Sequence, residues 1–275
     1  STYGGGIYCN NNSSPTLSDL NIINNSASFG GGGIACNYGA SPILDDILIS
    51  DNLSDNYGGG MLNDNGASPS LKNVLIVDNS APEGNGAGGG IWIWDSATNL
   101  KLENVTITEN IASQGSGLHI GNSANAEIIN SIFWNNSDDE ITVASGGILS
   151  VSYSIIEGSW SGQGIMSSDP LFTNPNNDSF SLQSNSPCID TGHPDLDGDG
   201  SDWMSDMDDQ DPDGTRQDMG AYYYYQSDAP PFPPQNLTAL PGNQQVTLRW
   251  NQNSDVDFAK YRIYGGISAS PATVL

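Results

Sequence analysis

The chain has 275 residues, with 6 Lys and Arg against 32 Asp and Glu, so a formal charge of -26 rests on charged residues that are only 14% of the total. A surface this negative repels phosphate backbones and anionic headgroups, which argues against nucleic acid and membrane surfaces as partners. No apolar run reaches the roughly 20 residues of a spanning helix, which argues against membrane insertion, and the recurrence of Ile, Leu and Val rules out disorder from end to end.

Gly triplets open the chain and return: Gly4 to Gly6, Gly31 to Gly33, Gly58 to Gly60, Gly88 to Gly90, and a weaker copy at Gly115, Ser116, Gly117, in steps of 27, 27, 30 and 27. Pro15, Pro42 and Pro69 keep the same register, as do Asn24-Asn25, Asp51-Asn52, Asp78-Asn79 and Glu109-Asn110. A fixed period of this length signals a solenoid or an array. Within each repeat, stretches such as Ile7-Tyr8-Cys9, Ile91-Trp92-Ile93 and Val105-Thr106-Ile107 alternate with the period of a strand. Short strands with Gly and Asn at the corners predict one coil of a parallel β-helix per repeat, each stacked about 4.8 Å above the last. An Asn ladder of Asn25, Asn52, Asn79 and Asn110 is expected at one turn, where Asn tolerates left-handed backbone angles.

Register assigns directions to side chains. Ile7, Ile34, Met61, Ile91 and Leu118 form one inward ladder; Cys9, Cys36, Asn63, Ile93 and Ile120 form another. Cys9 and Cys36 then sit on adjacent coils, close enough for a disulfide and equally suited to packing as two buried thiols. Cys188 leaves the count odd, and no CxxC points to zinc. Tyr8, Ala35, Leu62, Trp92 and His119 form an outward column beside Asn10, Asn37, Asp64, Trp94 and Gly121. Exposed Trp92 and Trp94, with Asp64 and His119 nearby, would make a platform for sugar rings unless a later segment or another subunit covers them. Ser18, Asp45, Lys72 and Glu103 form a further column, which makes Lys72 a structural ion-pair partner, and Asp51, Asp78 and Glu109 a third, whose stacked charges could raise a pKa or hold a cation. No Ser/His/Asp arrangement arises around His119 or His193.

After Asn136 the spacing loosens, although Glu140-Ile141-Thr142-Val143 and Ser152-Tyr153-Ser154-Ile155 still read as strands of irregular coils. From Ser168 the character changes. The runs Asp169-Pro170-Leu171-Phe172, Phe180-Ser181-Leu182, Ser186-Pro187-Cys188-Ile189-Asp190 and Asp218-Met219-Gly220-Ala221-Tyr222 follow. Together with the coils, this text resembles bacterial right-handed parallel β-helix repeat proteins of the pectate-lyase-like superfamily over roughly residues 1 to 225. The resemblance implies a large surface or secreted protein and names no reaction. Lyases of that superfamily combine Ca²⁺ with a basic residue, and the related hydrolases cluster Asp beside His. Neither pattern is evident in the coils.

Inside the closing segment, Asp195-Leu196-Asp197-Gly198-Asp199-Gly200-Ser201 and Asp206 place acids at positions 1, 3, 5 and 12, Gly at 6 and a carbonyl at 7. That is the spacing of a calcium loop, without the flanking helices of an EF-hand. Asp209, Asp211, Asp213 and Gly214 repeat its first half. Ca²⁺ is therefore the expected cofactor, with a solvated acidic loop as the plain alternative. Ala229 to Pro234, with four prolines, reads as a linker. Asn236-Leu237-Thr238-Ala239, Val246-Thr247-Leu248-Arg249-Trp250 and Tyr261-Arg262-Ile263-Tyr264 resemble the first strands of a fibronectin type III domain, with Trp250 and Tyr261 as core aromatics, and the chain stops half way through such a sandwich.

The expected organisation is all-β: parallel β-helix coils over 1–160, a closing segment with Asp-rich loops over 161–228, and a linker with an incomplete fibronectin type III-like sandwich over 229–275. The expected role is a secreted or cell-surface structural or adhesion module that self-assembles or meets other surface proteins. A polysaccharide-degrading enzyme of the same superfamily and a carbohydrate-binding module are the alternatives. A first coil without a cap would invite head-to-tail stacking.

Overall fold

The computed structural model describes residues 1–82, 86–175, 179–226, 237–242, 245–251, 264–265 and 273–274. Its body is a right-handed parallel β-helix. One sheet stacks Ile7–Cys9, Ile34–Cys36, Met61–Asn63, Ile91–Ile93, Leu118–Ile120 and Ile141–Val143, all parallel and in register. A second stacks Thr16–Ile23, Ile43–Ser50, Ser70–Val77, Asn99–Thr108, Asn125–Ile129 and Ile148–Ser152, with Ile132–Trp134 and Ile155–Ile156 continuing its far half. A third is made of the short strands Ser26–Ala27, Leu53–Ser54, Ser80–Ala81 and Ile111–Ala112. The sixth strand of the first sheet carries the coils past the point where the sequence spacing loosens.

The inward ladders fall where the register puts them. Ile34, Met61, Ile91 and Leu118 are fully buried, as are Cys36, Asn63, Ile93 and Ile120 on the second ladder. A buried Ile or Leu contributes about 2 to 3 kcal/mol, so a few coils suffice for a stable core. Cys9 and Cys36 are paired in register, buried and free of a disulfide.

Backbone crowding explains the Gly triplets. The first glycine of each is left-handed, as at Gly31 (φ +66), and a Cβ on the second glycine of that triplet, Gly32, would lie 2.4 Å from the Gly59 carbonyl oxygen of the next coil. Ser116 replaces the second glycine in the fifth copy and is held by its Oγ, which donates to the Ala112 carbonyl and accepts from the Ala112 N–H.

The Asn ladder forms, with one refinement. Left-handed angles fall on the preceding residues, Asn24, Asp51, Asp78, Glu109 and Asn135 (φ 53 to 58), so the acidic column serves the bend. The ladder Asn residues instead face the interior. Asn79 donates from Nδ2 to the Ile49 and Val77 carbonyls and to Asn110 Oδ1, while its Oδ1 accepts from the Asn52 N–H and Nδ2. Asn136, which the spacing did not single out, continues the ladder, and Glu140 ends it by accepting from the Asn136 N–H and Nδ2. Burial pushes the Glu140 carboxyl up to about 7 against the pull of those two donors, and Glu157 adds to the rise.

The outer face is covered over the middle of the first sheet and over the far half of the second. Outside the first sheet runs a row of single bridges, Tyr3, Gly30, Tyr57, Ala87 and Gln114. Beneath it Ala35, Leu62, Trp92 and His119 are buried, so this part of the outward column is covered, whereas Tyr8 at its start is exposed. Leu62 fills the space a side chain at Gly30 would need. Outside the second sheet, Leu75, Val77, Ile132 and Ile155 pack with Phe172, Phe180, Leu182, Cys188, Met219 and Ala221 of the closing segment.

Beyond residue 226, Thr238–Gly242 pairs antiparallel with Gln245–Arg249, and Tyr264–Gly265 with Thr273–Val274. Leu237, Trp250 and Asn251 flank the first of these two-stranded pairs. The proposed linker from Ala229 to Pro234 and the core aromatic Tyr261 lie outside the described residues.

Candidate metal centre

The Asp-rich loop belongs to a segment hydrogen-bonded to two successive coils. Asn130 is its main anchor: the Asn130 carbonyl accepts from the Gly220 N–H at 2.7 Å, its Oδ1 accepts from the His193 N–H at 2.7 Å, and its Nδ2 donates to Gln217 Oε1 at 3.1 Å. Asn104 Nδ2 donates to the Asp218 carbonyl, and the Ala221 N–H donates to Thr106 Oγ1, both at 2.9 Å. Gly220, at φ +103, passes so near the coil that a Cβ would lie 2.6 Å from Ile132 Cδ1.

Within this segment the first loop is formed. Asp195, Asp197 and Asp199 each offer a carboxylate oxygen, all within 4.8 Å of one another, a triad that can hold a metal ion. The loop is tightened by its own side chains. Asp197 Oδ1 accepts from the Asp199 N–H at 3.0 Å, Asp195 Oδ2 from the Gly200 N–H at 3.2 Å, and Asp199 Oδ1 from the Ser201 N–H at 2.6 Å. That last bond holds the exposed Asp199 carboxyl below the usual range. Gly198 and Gly200, at φ +76 and +88, supply the sharp turn.

Asp206 and Asp209 behave differently from each other. Asp206 caps the 3-10 turn Met207–Asp209, its Oδ1 accepting from the Asp208 N–H at 3.0 Å. Asp209 is wholly buried; one of its oxygens accepts from the Leu196 N–H inside the loop, and Oδ2 has no partner. Asp195 Oδ1 is also buried without a partner. Burial raises the Asp209 pKa against the Leu196 bond, with the charges of Asp206, Asp197 and Asp195 reinforcing it.

The repeated half-loop is divided. Asp209 turns to the first loop, whereas Asp211 and Asp213 join Asp190 and Asp218 in a second acidic group that accepts backbone donors. Asp218 accepts from the Asp190 and Tyr224 N–H groups, Asp211 from the Asp218 N–H, and Asp213 from the Thr215 and Gln226 N–H groups. Burial and the mutual repulsion of these carboxylates raise both Asp211 and Asp218. Arg216 lies near them but donates to the Gly192 carbonyl and sits over the Tyr153 ring.

The four residues expected to form a sugar platform are brought together, but Trp92 and His119 are buried and Trp94 and Asp64 are half-buried. Trp92, only 6% exposed, stacks between Tyr57 at 4.8 Å and Trp94 at 5.4 Å, and Phe29, Tyr3 and Tyr8 extend the row toward the first coil. Trp94 lies against Gly121, where a side chain would meet its ring. Burial lowers the His119 pKa and leaves its Nδ1 without a hydrogen bond, while burial and Asp95 raise that of the half-buried Asp64. Lys72 pairs with Glu103 at 2.8 Å, Lys101 shares that carboxylate at 3.3 Å, and Asp45 accepts from Asn73 instead.

The family of right-handed beta helix regions matches residues 1–107, most of the first four coils. No curated protein and no solved structure matches the chain. The class of protein is thus a right-handed β-solenoid, and its particular role has to be argued from the site.

Proposed function

We propose that the chain is a non-catalytic structural or adhesion module that works outside the cell, a β-helix of the pectate-lyase-like kind whose closing segment is fixed by Ca²⁺. The observation that carries this reading is the Asp195, Asp197 and Asp199 triad, set in a segment that is itself fastened to Asn104, Thr106 and Asn130 of the coils. An ion held there stabilises the contact between loop and solenoid. The donors are hard carboxylate oxygens with the Ser201 carbonyl at the seventh position, a set that suits Ca²⁺ better than a metal preferring nitrogen or sulfur. Weak sites of this kind fill at the calcium concentrations found outside cells, on the order of 1 mM. The acidity of the whole chain and its scarcity of Lys agree with that setting.

Self-association or contact with other surface proteins is the mode of action this reading favours, since the described coils are a rigid stack with side chains repeated along one axis. The hairpin of Thr238–Gly242 with Gln245–Arg249 supports the start of a fibronectin type III-like domain after the solenoid. A carbohydrate-binding role is the second reading, favoured by Tyr8 and Phe29, which are exposed at one end of the aromatic row.

Calorimetry of the whole chain tests the proposal. Calcium should raise the melting temperature, Mg²⁺ should do so less, and chelation should reverse the gain. Identical melting with calcium and with chelator would overturn the calcium-fixed module.

A further inference from the structure

We propose that Asp209, rather than Asp206 at the twelfth position of the loop, closes the cation site begun by Asp195, Asp197 and Asp199, and that the bound ion is thereby linked to the coils. This rests on the calcium reading above and supplies its missing ligand.

Two carboxylate oxygens at the loop are buried without a partner. Buried carboxylates in folded proteins are satisfied by donors, counter-charges or metal ions, because an unpaired buried anion is strongly disfavoured. Asp209 Oδ2 and Asp195 Oδ1 have neither donor nor hydrogen-bond partner, and the Asp209 side chain is completely enclosed. The other Asp209 oxygen accepts from the N–H of Leu196, the residue between Asp195 and Asp197. That bond sets the carboxylate against the inner side of the loop. Asp209 is not one of the three residues whose oxygens lie within 4.8 Å of one another, but its bond to Leu196 and its electrostatic coupling to Asp197 and Asp195 place it beside the loop, and a bound ion would draw its free oxygen in.

Asp206 differs in having no oxygen buried without a partner. Its Oδ1 caps the turn that carries Asp209, which sets the direction of that turn. Asp197 and Asp199 are exposed and provide the way in from solvent, with Asp209 as the floor of the site.

Asp209 also has a route to the solenoid. Its carbonyl accepts from the Gln217 N–H at 3.3 Å, the Asp208 carbonyl accepts from Gln217 Nε2 at 3.1 Å, and Gln217 Oε1 accepts from Asn130 Nδ2 at 3.1 Å. An ion that fixes Asp209 restrains Gln217, and with it the anchor on the coil. The ligand is a hard divalent cation of calcium's size, since four carboxylates leave no place for a soft donor.

Terbium luminescence on the whole chain tests the assignment, with Trp203 as sensitiser. Trp203 is tied to the loop by its N–H, which donates to the Pro194 carbonyl, and by its carbonyl, which accepts from Gln210 Nε2. Calcium competition against bound Tb³⁺ then gives the affinity. Asp209→Asn should weaken calcium by about tenfold or more and Asp206→Asn by less than about threefold. Asp209→Asn should also melt higher than the unaltered chain in chelator, because it removes an uncompensated buried charge, and should gain less from calcium. Loss of affinity in Asp206→Asn would overturn the proposal, and that result counts even if Asp209→Asn does not fold. Unaltered affinity in a folded Asp209→Asn would overturn it as well. If the unaltered chain binds neither Tb³⁺ nor calcium, the calcium reading itself falls and this inference with it.

Discussion

The coils and the closing segment meet the same requirement, a partner for each buried backbone group, by different means. In the coils the next coil supplies most partners, and at the tight turn a neutral side chain does so: Asn52, Asn79, Asn110 and Asn136 each accept the N–H of the ladder Asn one coil before. In the closing segment there is little strand pairing, and carboxylates take that part, with Asp218, Asp211, Asp213, Asp199 and Asp209 all accepting backbone N–H groups. Neutral amides stack at each coil without repulsion, whereas carboxylates gathered in one place repel unless a cation or a proton intervenes. Most of the acids in the closing segment thus have an ordinary structural use. Buried carboxylate oxygens without a partner are left on Asp195 and Asp209 at the first loop and on Asp190 in the second group, and it is the pair at the first loop that the proposed ion would meet.

The largest way to strain this comparison is to cut the neutral ladder. Asn79→Ala removes the partner of the Asn52 N–H and leaves the Ile49 carbonyl and Asn110 Oδ1 short of a donor inside the core. Urea denaturation at fixed calcium should record a loss of roughly 3 to 5 kcal/mol, with ion affinity unaltered.

Chelation should act on the other region. With calcium at about 100 times its dissociation constant, binding only to the folded form contributes about 2.7 kcal/mol. Trp203 fluorescence should therefore report earlier unfolding of the closing segment in chelator than in calcium.

Glu140 sharpens the comparison because it is a carboxylate placed at the end of the neutral ladder. Its folded pKa is raised from the usual 4.5 to about 7, so the folded chain keeps a proton that the unfolded chain has released. Stability from this group is greatest below pH 4.5, falls between pH 4.5 and 7, and is level above, with a total of about 3 kcal/mol. Glu140→Gln has no such proton to lose, and its melting temperature should decline less between pH 5 and pH 8. The smallest effect belongs to the surface: Lys72→Met, which breaks the half-exposed pair with Glu103, should change stability by less than about 1 kcal/mol.

Much of the coil architecture was legible because a repeat prints each structural position several times. Ile34, Met61, Ile91 and Leu118 could be put inside from spacing alone. The coverage of the outer faces was harder to read, since it depends on which distant segment lies over a sheet. A signal existed in Val74-Leu75-Ile76-Val77, a continuous apolar run in a strand with both faces buried. At the metal centre, spacing gave Asp195, Asp197 and Asp199. It also named Asp206 and, in the repeated half-loop, Asp209; that a 3-10 turn brings Asp209 to the Leu196 N–H of the first loop is a tertiary contact that no count of residues reveals.

Hydrogen exchange with and without calcium tests the central claim, that coils and closing segment are held by separate means. The account predicts that chelation lowers amide protection across 188–226, most at Leu196 and Gly200, and leaves the strands of the first five coils unaltered. Equal loss of protection in the coils, or none in 188–226, would contradict it.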